Sequence, residues 1–210
     1  MAIFLVFGAT GGTGKHFVEI CLARGHQVRA LARIPEKLSP RENLQITQGS
    51  ISETEKFEDL VKGVDYIVCF LGDGKAQQVA KINTTFCKQL IPVMRKHNVK
   101  RFLYQAGALT SHYETPLPAY LWVVRHTLAS SMNGQHLDNE GVIHYLYKDC
   151  PDIEWIVHRA AILSSGPSKG TLKRSATKIG IGSFVDAAMY SFVIVQDASA
   201  VHTCDLSTYE

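Results

Sequence analysis

The sequence predicts an α/β fold in which a single doubly wound, mostly parallel sheet carries helices on both faces. The first observation is an uninterrupted apolar run at Ile3–Phe7, which suits a strand buried on both faces. The second is that strand-like and helix-like segments alternate along most of the chain. The third is that two apolar runs end in glycine-rich turns, at residues 8–14 and 72–74. Both turns would lie at the carboxyl edge of one sheet and face one crevice.

The turn after the first strand contains Gly8, Gly11 and Gly14, spaced three residues apart. Glycines in such a turn let the chain reverse tightly, bring backbone close to a pyrophosphate and pack a helix against the strand. The phosphates would bind to free amides at the amino end of that helix, and Thr10 and Thr13 add hydroxyl donors. A glycine triplet alone also fits an ordinary strand-to-helix turn, so the prediction of a nucleotide site depends on its surroundings.

A helix over residues 16–23, closed by Arg24 and Gly25, leads to an alternating second strand at Gln27–Ala32. Such a βαβ unit places its two strands parallel and adjacent. Arg33 follows the second strand directly, where an NAD-specific site usually holds an acidic residue for the ribose 2′-hydroxyl. Because a guanidinium grips a 2′-phosphate bidentately, Arg33 favours NADP over NAD; the alternative is a solvated surface arginine.

The remaining elements continue this alternation. Further strands are predicted at residues 44–48, 64–71, 99–105, 153–158, 172–179 and 201–206. Further helices are predicted at residues 53–62, 75–97, 138–148 and 184–195, the last capped by Ser183. Pro92 predicts a kink or a break near Ile91. Residues 109–134 have poor periodicity, so we expect a loop that covers the substrate, and residues 1–210 are expected to form one NAD(P)-binding domain.

Composition narrows the class of protein. Hydrophobic residues make up 46% and charged residues 20% of the chain, and the net charge of +3 is too small to indicate binding to nucleic acid. The five cysteines are scattered without a C-x-x-C pair, which predicts reduced core thiols in a cytoplasmic protein. The nine histidines form no short-spaced cluster, so no metal site is predicted. Because the first apolar run ends at Gly8 and follows no basic region, we expect neither a signal peptide nor a membrane span.

Together with the segment Asn98-Val99-Lys100-Arg101-Phe102-Leu103-Tyr104, these features resemble the atypical short-chain dehydrogenases of the NmrA-like, NAD(P)H-binding group. The length and the run Gly8-Ala9-Thr10-Gly11-Gly12-Thr13-Gly14 are most similar to the flavin reductase and biliverdin reductase B branch. The resemblance covers nearly the whole chain and is specific in its first half. It implies a Rossmann sheet with NADPH along the carboxyl edge and a shallow substrate site over the nicotinamide.

The resemblance also implies a set of cofactor-binding residues. Gly8, Thr10, Gly11, Gly12, Thr13 and Gly14 match the pyrophosphate loop, and Arg33 matches the clamp for the 2′-phosphate. Ser50 and Ile51 follow the third strand beside the adenine, and Leu71 and Gly72 match the backbone beside the adenosine ribose. Ala106 and Gly107 match the end of the fifth strand below the nicotinamide ribose, and Arg159, Ala160, Ala161 and Ile162 match the segment that flanks the nicotinamide.

Three positions depart from the pattern that the resemblance implies. Ser50 replaces an aspartate that holds the adenine amino group, Gln105-Ala106-Gly107 replaces one or two serines, and Ala161 replaces a histidine. No tyrosine is followed by a lysine four residues later, so the usual acid for ketone reduction is absent. Hydride transfer to a flavin needs little acid catalysis by side chains, and it tolerates this loss.

Tyr113, His112 and His136 are candidate replacement donors, but a solvated polar loop residue is the favoured interpretation of each, so no catalytic residue is assigned. The sequence predicts an NADPH-dependent oxidoreductase that transfers hydride to a small conjugated acceptor such as a flavin. Two alternatives stay open: an NADP(H)-binding regulator of the NmrA type without turnover, which the missing donors favour, and a non-redox enzyme. The oligomeric state is not indicated, and a monomer is compatible with the sequence. The substrate would lie against apolar residues of the covering loop, namely Leu117, Tyr120, Leu121 and Trp122.

Overall fold

A computed structural model describes residues 1–209, and Glu210, the last residue of the predicted domain, lies outside the described residues. The strands are β1 Ile3–Phe7, β2 Gln27–Ala32, β3 Leu44–Gln48, β4 Tyr66–Cys69, β5 Arg101–Gly107, β6 Glu154–Ala160, β7 Leu163–Ser164, β8 Leu172–Ser175, β9 Gly182–Ser183 and β10 Thr203–Tyr209. The α-helices are α1 Gly12–Ala23, α2 Phe57–Val61, α3 Gly74–Val79, α4 Ile82–Lys96, α5 Ala119–His126, α6 Asn133–Asp149 and α7 Phe184–Ile194.

The predicted α/β class and the mostly parallel sheet are confirmed. The main sheet has eight strands in the order β3-β2-β1-β4-β5-β6-β10-β8, and all neighbours are parallel except β10 and β8. A separate small sheet pairs β7 with β9. The strand order reverses direction between β1 and β4, so the carboxyl ends of these two strands border the crevice where ligands bind in open α/β sheets.

The two faces of the main sheet are covered by different helices. Phe7 and Tyr104 belong to the apolar core that the sheet forms with α2, α4 and α6. Phe4 and Leu103 belong to the core on the opposite face, under α1 and α7. This alternation follows the two-residue period of a strand, and both faces are buried because helices cover each of them. Ser183 caps α7 as predicted, since its hydroxyl accepts a hydrogen bond from the Asp186 amide.

The prediction of one long helix over residues 75–97 is wrong in one respect. The chain forms two helices, α3 and α4, separated at Ala80 and Lys81, and α4 continues through Pro92 without ending there. The break lies at Ala80 because the Asp138 carboxylate accepts hydrogen bonds from the amides of Asn83 and Thr84 and so starts a new helix. That carboxylate belongs to another helix, α6. The sequence around Ala80 therefore does not predict where α4 begins.

Residues 109–134 are not a plain loop as predicted from their poor periodicity, since they contain α5 and a short 3-10 helix at Ser130–Met132. Arg125 of α5 is buried and pairs with Glu140 of α6, and the Tyr120 hydroxyl donates to the carbonyl of Thr177 at 2.9 Å. These contacts are tertiary, and exposed Trp122 and Val123 blur the apolar period that would mark an amphipathic helix.

The prediction that the cysteines are core thiols is confirmed, because all five are buried and unpaired. Burial raises the pKa of Cys69 and of Cys204 to about 12, so neither is a reactive thiolate at neutral pH. Across residues 1–209, every helix is too short or too polar to cross a bilayer.

Candidate functional site

The turn between β1 and α1 is built so that only glycine fits at two of its positions. Gly8 has a φ of 79°, and a Cβ there would lie 2.7 Å from the carbonyl oxygen of Phe70, which follows β4. A Cβ at Gly14 would overlap the carbonyl oxygen of Gly8. The Gly11 amide closes the turn by donating to that same carbonyl at 3.0 Å. The strand, the turn and the helix are therefore packed backbone against backbone.

The amino end of α1 is open to an anion. Gly11 occupies the N-cap position and supplies no side-chain cap, and the first turn of α1 contains no acidic residue. Unpaired amides and the positive end of the helix dipole lie together at this point. A phosphate group can bind such a helix end through backbone alone.

A cleft of about 550 Å³ begins at this turn and extends over the ends of β2, β3 and β4. It contains mixed polar and apolar walls and is large enough for an adenosine group. Seven of the sequence-predicted cofactor residues line it, namely Gly8, Thr10, Arg33, Ser50, Ile51, Leu71 and Gly72. The two glycine turns predicted to face one crevice do so. A cradle that a Cβ would fill, an uncapped helix end and an adjoining cleft together fit a dinucleotide.

The sequence missed one wall of this cleft, which comes from α3 and α4. The break between these helices brings Asn83 to the cleft, where its Nδ2 donates to the Leu71 carbonyl at 3.3 Å and to the Tyr104 hydroxyl at 2.8 Å. Its Oδ1 is buried and bonds to no described atom. The only local signal was the polar triplet at residues 83–85 inside an otherwise amphipathic helix pattern. Further wall residues are Ala76, Lys81, Ile82, Thr85, Phe86 and Gln89.

Asp138 holds this wall in place from α6. Its fully buried carboxylate accepts hydrogen bonds from the amides of Asn83 and Thr84, from the Thr84 hydroxyl and from the Gln77 side chain, all at 2.8–2.9 Å. The Tyr104 hydroxyl continues the network by donating to the Asn139 side chain at 2.6 Å. A buried carboxylate is tolerated here because each oxygen accepts two hydrogen bonds.

Arg33 lies directly after β2, as predicted, with its side chain 77% exposed at the cleft. Its ion pair with Asp73, a 4.0 Å contact, is at the surface and therefore weak. A recess beside it is also lined by Lys56, whose ammonium donates to the Gln48 carbonyl at 2.7 Å and to Glu53. The hydrogen bonds from Lys56 and from the Ser50 amide lower the pKa of Glu53.

The other predicted cofactor residues lie outside this cleft. Gly12, Thr13 and Gly14 form the first turn of α1, after Gly11. A Cβ at Gly12 would enter the ring of Phe184, the first residue of α7, so this glycine allows two helix ends to meet. No function was predicted for Phe184 from the sequence.

The predicted residues at the ends of β5 and β6 are not all directed at one site. Ala106 and Gly107 end β5, and Arg159 is a buried side chain of β6 that donates to the Thr110 carbonyl at 3.2 Å. Ala161 packs with an apolar cluster that includes residues of the 109–134 segment, whereas Ile162 is 75% exposed. That cluster contains Ala108, Leu109, Leu117, Leu121, Ile179 and Leu206.

The three candidate proton donors are not gathered at the ends of β5 and β6. Tyr113 packs against His144 in the later turns of α6, and the Lys148 ammonium lies 5.3 Å from its ring centroid. That end of α6 leads to the start of β6, at the edge of the sheet opposite the glycine turn. His136 is buried with neither ring nitrogen hydrogen-bonded to the described residues, and burial together with Arg125 lowers its pKa. Burial and Arg159 lower the pKa of His112.

The fold and the glycine turn define a nucleotide-binding protein of the Rossmann type. The model of a family described as NAD(P)H-binding matches residues 8–183. The chain therefore belongs to this NAD(P)H-binding family.

Several known proteins are similar to this chain. A 3-beta-hydroxysteroid dehydrogenase of Mycolicibacterium neoaurum is 29% identical over 114 residues, which cover 49% of this chain but only 31% of the relative. The match thus spans about a third of that relative's length. The structure of the oxidoreductase ylbE from Lactococcus lactis has a TM-score of 0.80 at 16% identity, over 99% of this chain and 91% of that one. An anaerobillin reductase from Escherichia coli O157:H7 has a TM-score of 0.79 at 16% identity, over 98% and 96% of the two chains. At these identities the solved structures establish the fold.

Proposed function

We propose that this protein is an NADPH-dependent reductase that transfers hydride to a small, planar, conjugated acceptor such as a flavin. The observation that carries the proposal is the contrast between the two halves of the crevice. The half beside β2, β3 and β4 has an open helix end, a 550 Å³ cleft and an exposed arginine. After the ends of β5 and β6, Leu117, Leu121 and Ala161 pack together in an apolar cluster.

The cofactor supplies a hydride when it is bound, and the chain's residues bind and orient it. In this proposal the amides of Gly11, Gly12 and Thr13 hold the pyrophosphate, and Ser50, Ile51, Leu71 and Gly72 border the adenosine. Ala106, Gly107, Ala161 and Ile162 border the nicotinamide half, while Arg159 supports that edge from within the protein. The covering segment 109–134 would exclude water from the acceptor through α5.

Apolar packing after the ends of β5 and β6 suits an acceptor that takes its proton from water. It does not suit a ketone, whose oxygen needs a positioned donor. This is the chemistry of the flavin reductase and biliverdin reductase B branch that the sequence resembles. The name of the anaerobillin reductase with the same fold also fits a conjugated acceptor.

Arg33→Ala is expected to weaken binding of NADPH by about 10- to 100-fold, the worth of a hydrogen-bonded charge pair, and to change binding of NADH by less than about twofold. The guanidinium is exposed beside the cleft and would pair with the 2′-phosphate, which NADH lacks. Fluorescence titration of both cofactors measures the two affinities. Arg41→Ala is the matched control, since Arg41 is an exposed arginine paired with Glu19 at 2.7 Å. Equal losses for NADPH and NADH would contradict the preference for NADP.

Turnover is tested by mixing the purified protein with NADPH and a panel of flavins, quinones and tetrapyrroles in a stopped-flow instrument. At least one acceptor is expected to oxidise NADPH above the protein-free background. The Arg33→Ala protein should then need more NADPH for the same rate. Absence of oxidation across the panel would overturn the proposed reaction.

A second candidate is an NADP(H)-binding regulator without turnover. It is favoured by one observation: Tyr113, which has the Lys148 ammonium 5.3 Å from its ring centroid, packs at the far end of α6. Calorimetry separates the two functions, because a sensor distinguishes NADP from NADPH in affinity and oxidises neither. A reductase binds both and consumes NADPH when an acceptor is added.

A further inference from the structure

Gln105 lies at the height of the glycine turn, on the face of the sheet that α1 and α7 cover. The strand register aligns Phe7 with Cys69 and Cys69 with Tyr104, so Gln105 is level with Gly8 two strands away. Because Tyr104 packs in the core on the α4 and α6 face, the next side chain of β5 points to the opposite face. Gln105 therefore lies beside the amino end of α1.

Only one end of the Gln105 carboxamide has a partner. Its Nε2 donates to the Thr13 hydroxyl at 3.3 Å, while its Oε1 is buried and bonds to no atom of residues 1–209. A threonine hydroxyl both donates and accepts, so either end of the carboxamide can face Thr13. In both orientations the other end is left without a hydrogen bond. Buried polar groups are rarely left unpaired in proteins. We therefore expect the unpaired end of the Gln105 carboxamide to bind a partner from outside the chain.

The residue aligned with Gln105 on the neighbouring strand β6 is not its hydrogen-bond partner. His158 of β6 is aligned with Gln105 and points to the same face, where its Nε2 pairs with the Ser207 hydroxyl at 2.8 Å. Its Nδ1 bonds to no described atom. Burial lowers the pKa of His158 to about 3, so the ring is neutral at physiological pH. Two buried polar atoms, on neighbouring strands and on the same face of the sheet, thus have no partner among the described residues.

Gln105 lies where the second half of a bound dinucleotide would extend. The cleft lined by Arg33, Ser50 and Leu71 lies on the β2, β3 and β4 side of Gly8. A ligand whose adenosine fills that cleft crosses the amino end of α1 at its pyrophosphate, and its second half extends over β5 and β6. Thr13 and Gln105 lie on that second side.

We propose that Gln105 is a cofactor-binding residue that holds the nicotinamide half of NAD(P)H through the carboxamide end that Thr13 leaves free. The inference rests on the proposed function for the identity of the ligand. Gln105 then selects the whole dinucleotide over its adenosine half. Gln105 belongs to the Gln105-Ala106-Gly107 segment, which stands in place of the serines that the resemblance implies. In this proposal its carboxamide supplies a hydrogen-bonding group in their place.

The experiment measures binding of NADPH and of adenosine 2′,5′-bisphosphate, which lacks the nicotinamide half. Gln105→Met keeps the length of the side chain and removes both amide atoms. It is expected to weaken NADPH binding about tenfold and to change binding of the bisphosphate by less than twofold. Gln45→Met is the control, because Gln45 is an exposed glutamine of β3 that lines neither the cleft nor the recess beside Arg33. Thermal unfolding of each variant checks that the fold is kept.

A second pair of variants separates direct binding from an effect through Thr13. If Gln105 only positions Thr13, Gln105→Met has no further effect on NADPH affinity once Thr13→Val has removed the hydroxyl. Direct binding predicts the same loss in both backgrounds. An unchanged ratio of the two affinities in Gln105→Met, as expected if Gln105 pairs only with a buried water shared with His158, would overturn the inference. Failure of the wild-type protein to bind NADPH or NADH would overturn the proposed function instead.

Discussion

Asp138→Ala is expected to lower the free energy of unfolding by about 3 kcal/mol or more. The substitution leaves the amides of Asn83 and Thr84 and the side chain of Gln77 without their acceptor inside the protein. Each buried donor that loses its partner costs about 1–3 kcal/mol. Small domains have only about 5–15 kcal/mol of stability in total, so the loss is severe. Chemical denaturation monitored by circular dichroism measures it.

The control for this prediction is Asp149→Ala at the other end of the same helix. Asp149 is exposed, and its side chain carries none of the network, so its replacement is expected to change stability by less than about 0.5 kcal/mol. Because Asp138 starts α4, the Asp138→Ala variant should also bind NADPH more weakly when measured below its unfolding transition. A stable Asp138→Ala protein with wild-type affinity would show that the carboxylate neither caps α4 nor shapes the cleft.

Gly14→Ala is expected to abolish measurable NADPH binding and to destabilise the protein by about 1–3 kcal/mol, the usual cost of overpacking. The added methyl would overlap the carbonyl oxygen of Gly8, and both groups belong to backbone that cannot rotate away. Relief requires α1 to move off β1 or the turn to open. Either movement displaces the amides of the first turn of α1 from the pyrophosphate. Calorimetric titration with NADPH and thermal unfolding provide the two measurements.

Gly166→Ala is the matched control, because a Cβ at Gly166 meets only the Ser164 hydroxyl at an ordinary 3.5 Å. It should bind NADPH like the wild type. If Gly14→Ala retained wild-type affinity, the glycine turn could not be the pyrophosphate site, and the proposed function would lose its main support.

Much of the first half of the site could be predicted from the sequence. The positions of Gly8 after β1 and of Arg33 after β2 follow from immediate chain neighbours, a buried strand that ends and a turn that follows it. The start of α4 could not be predicted, since Asp138, which caps it, is 54 or more residues away from Asn83 and Thr84 in the chain. A kink or break was therefore predicted near Ile91, because of the local rule for Pro92, whereas the helix is interrupted at Ala80.

The sequence by itself determined the parallel α/β sheet and the glycine turn, because buried strands, helix periodicity and glycine spacing are local patterns. Only the tertiary structure decided where α4 begins, that residues 119–126 form a helix, and that Gln105 meets Thr13 with one amide end left free. Each of these depends on a hydrogen bond or an ion pair between side chains and groups distant in the chain. Such contacts leave no periodicity in the sequence, and one of them, the start of α4, shapes the cleft beside β2, β3 and β4.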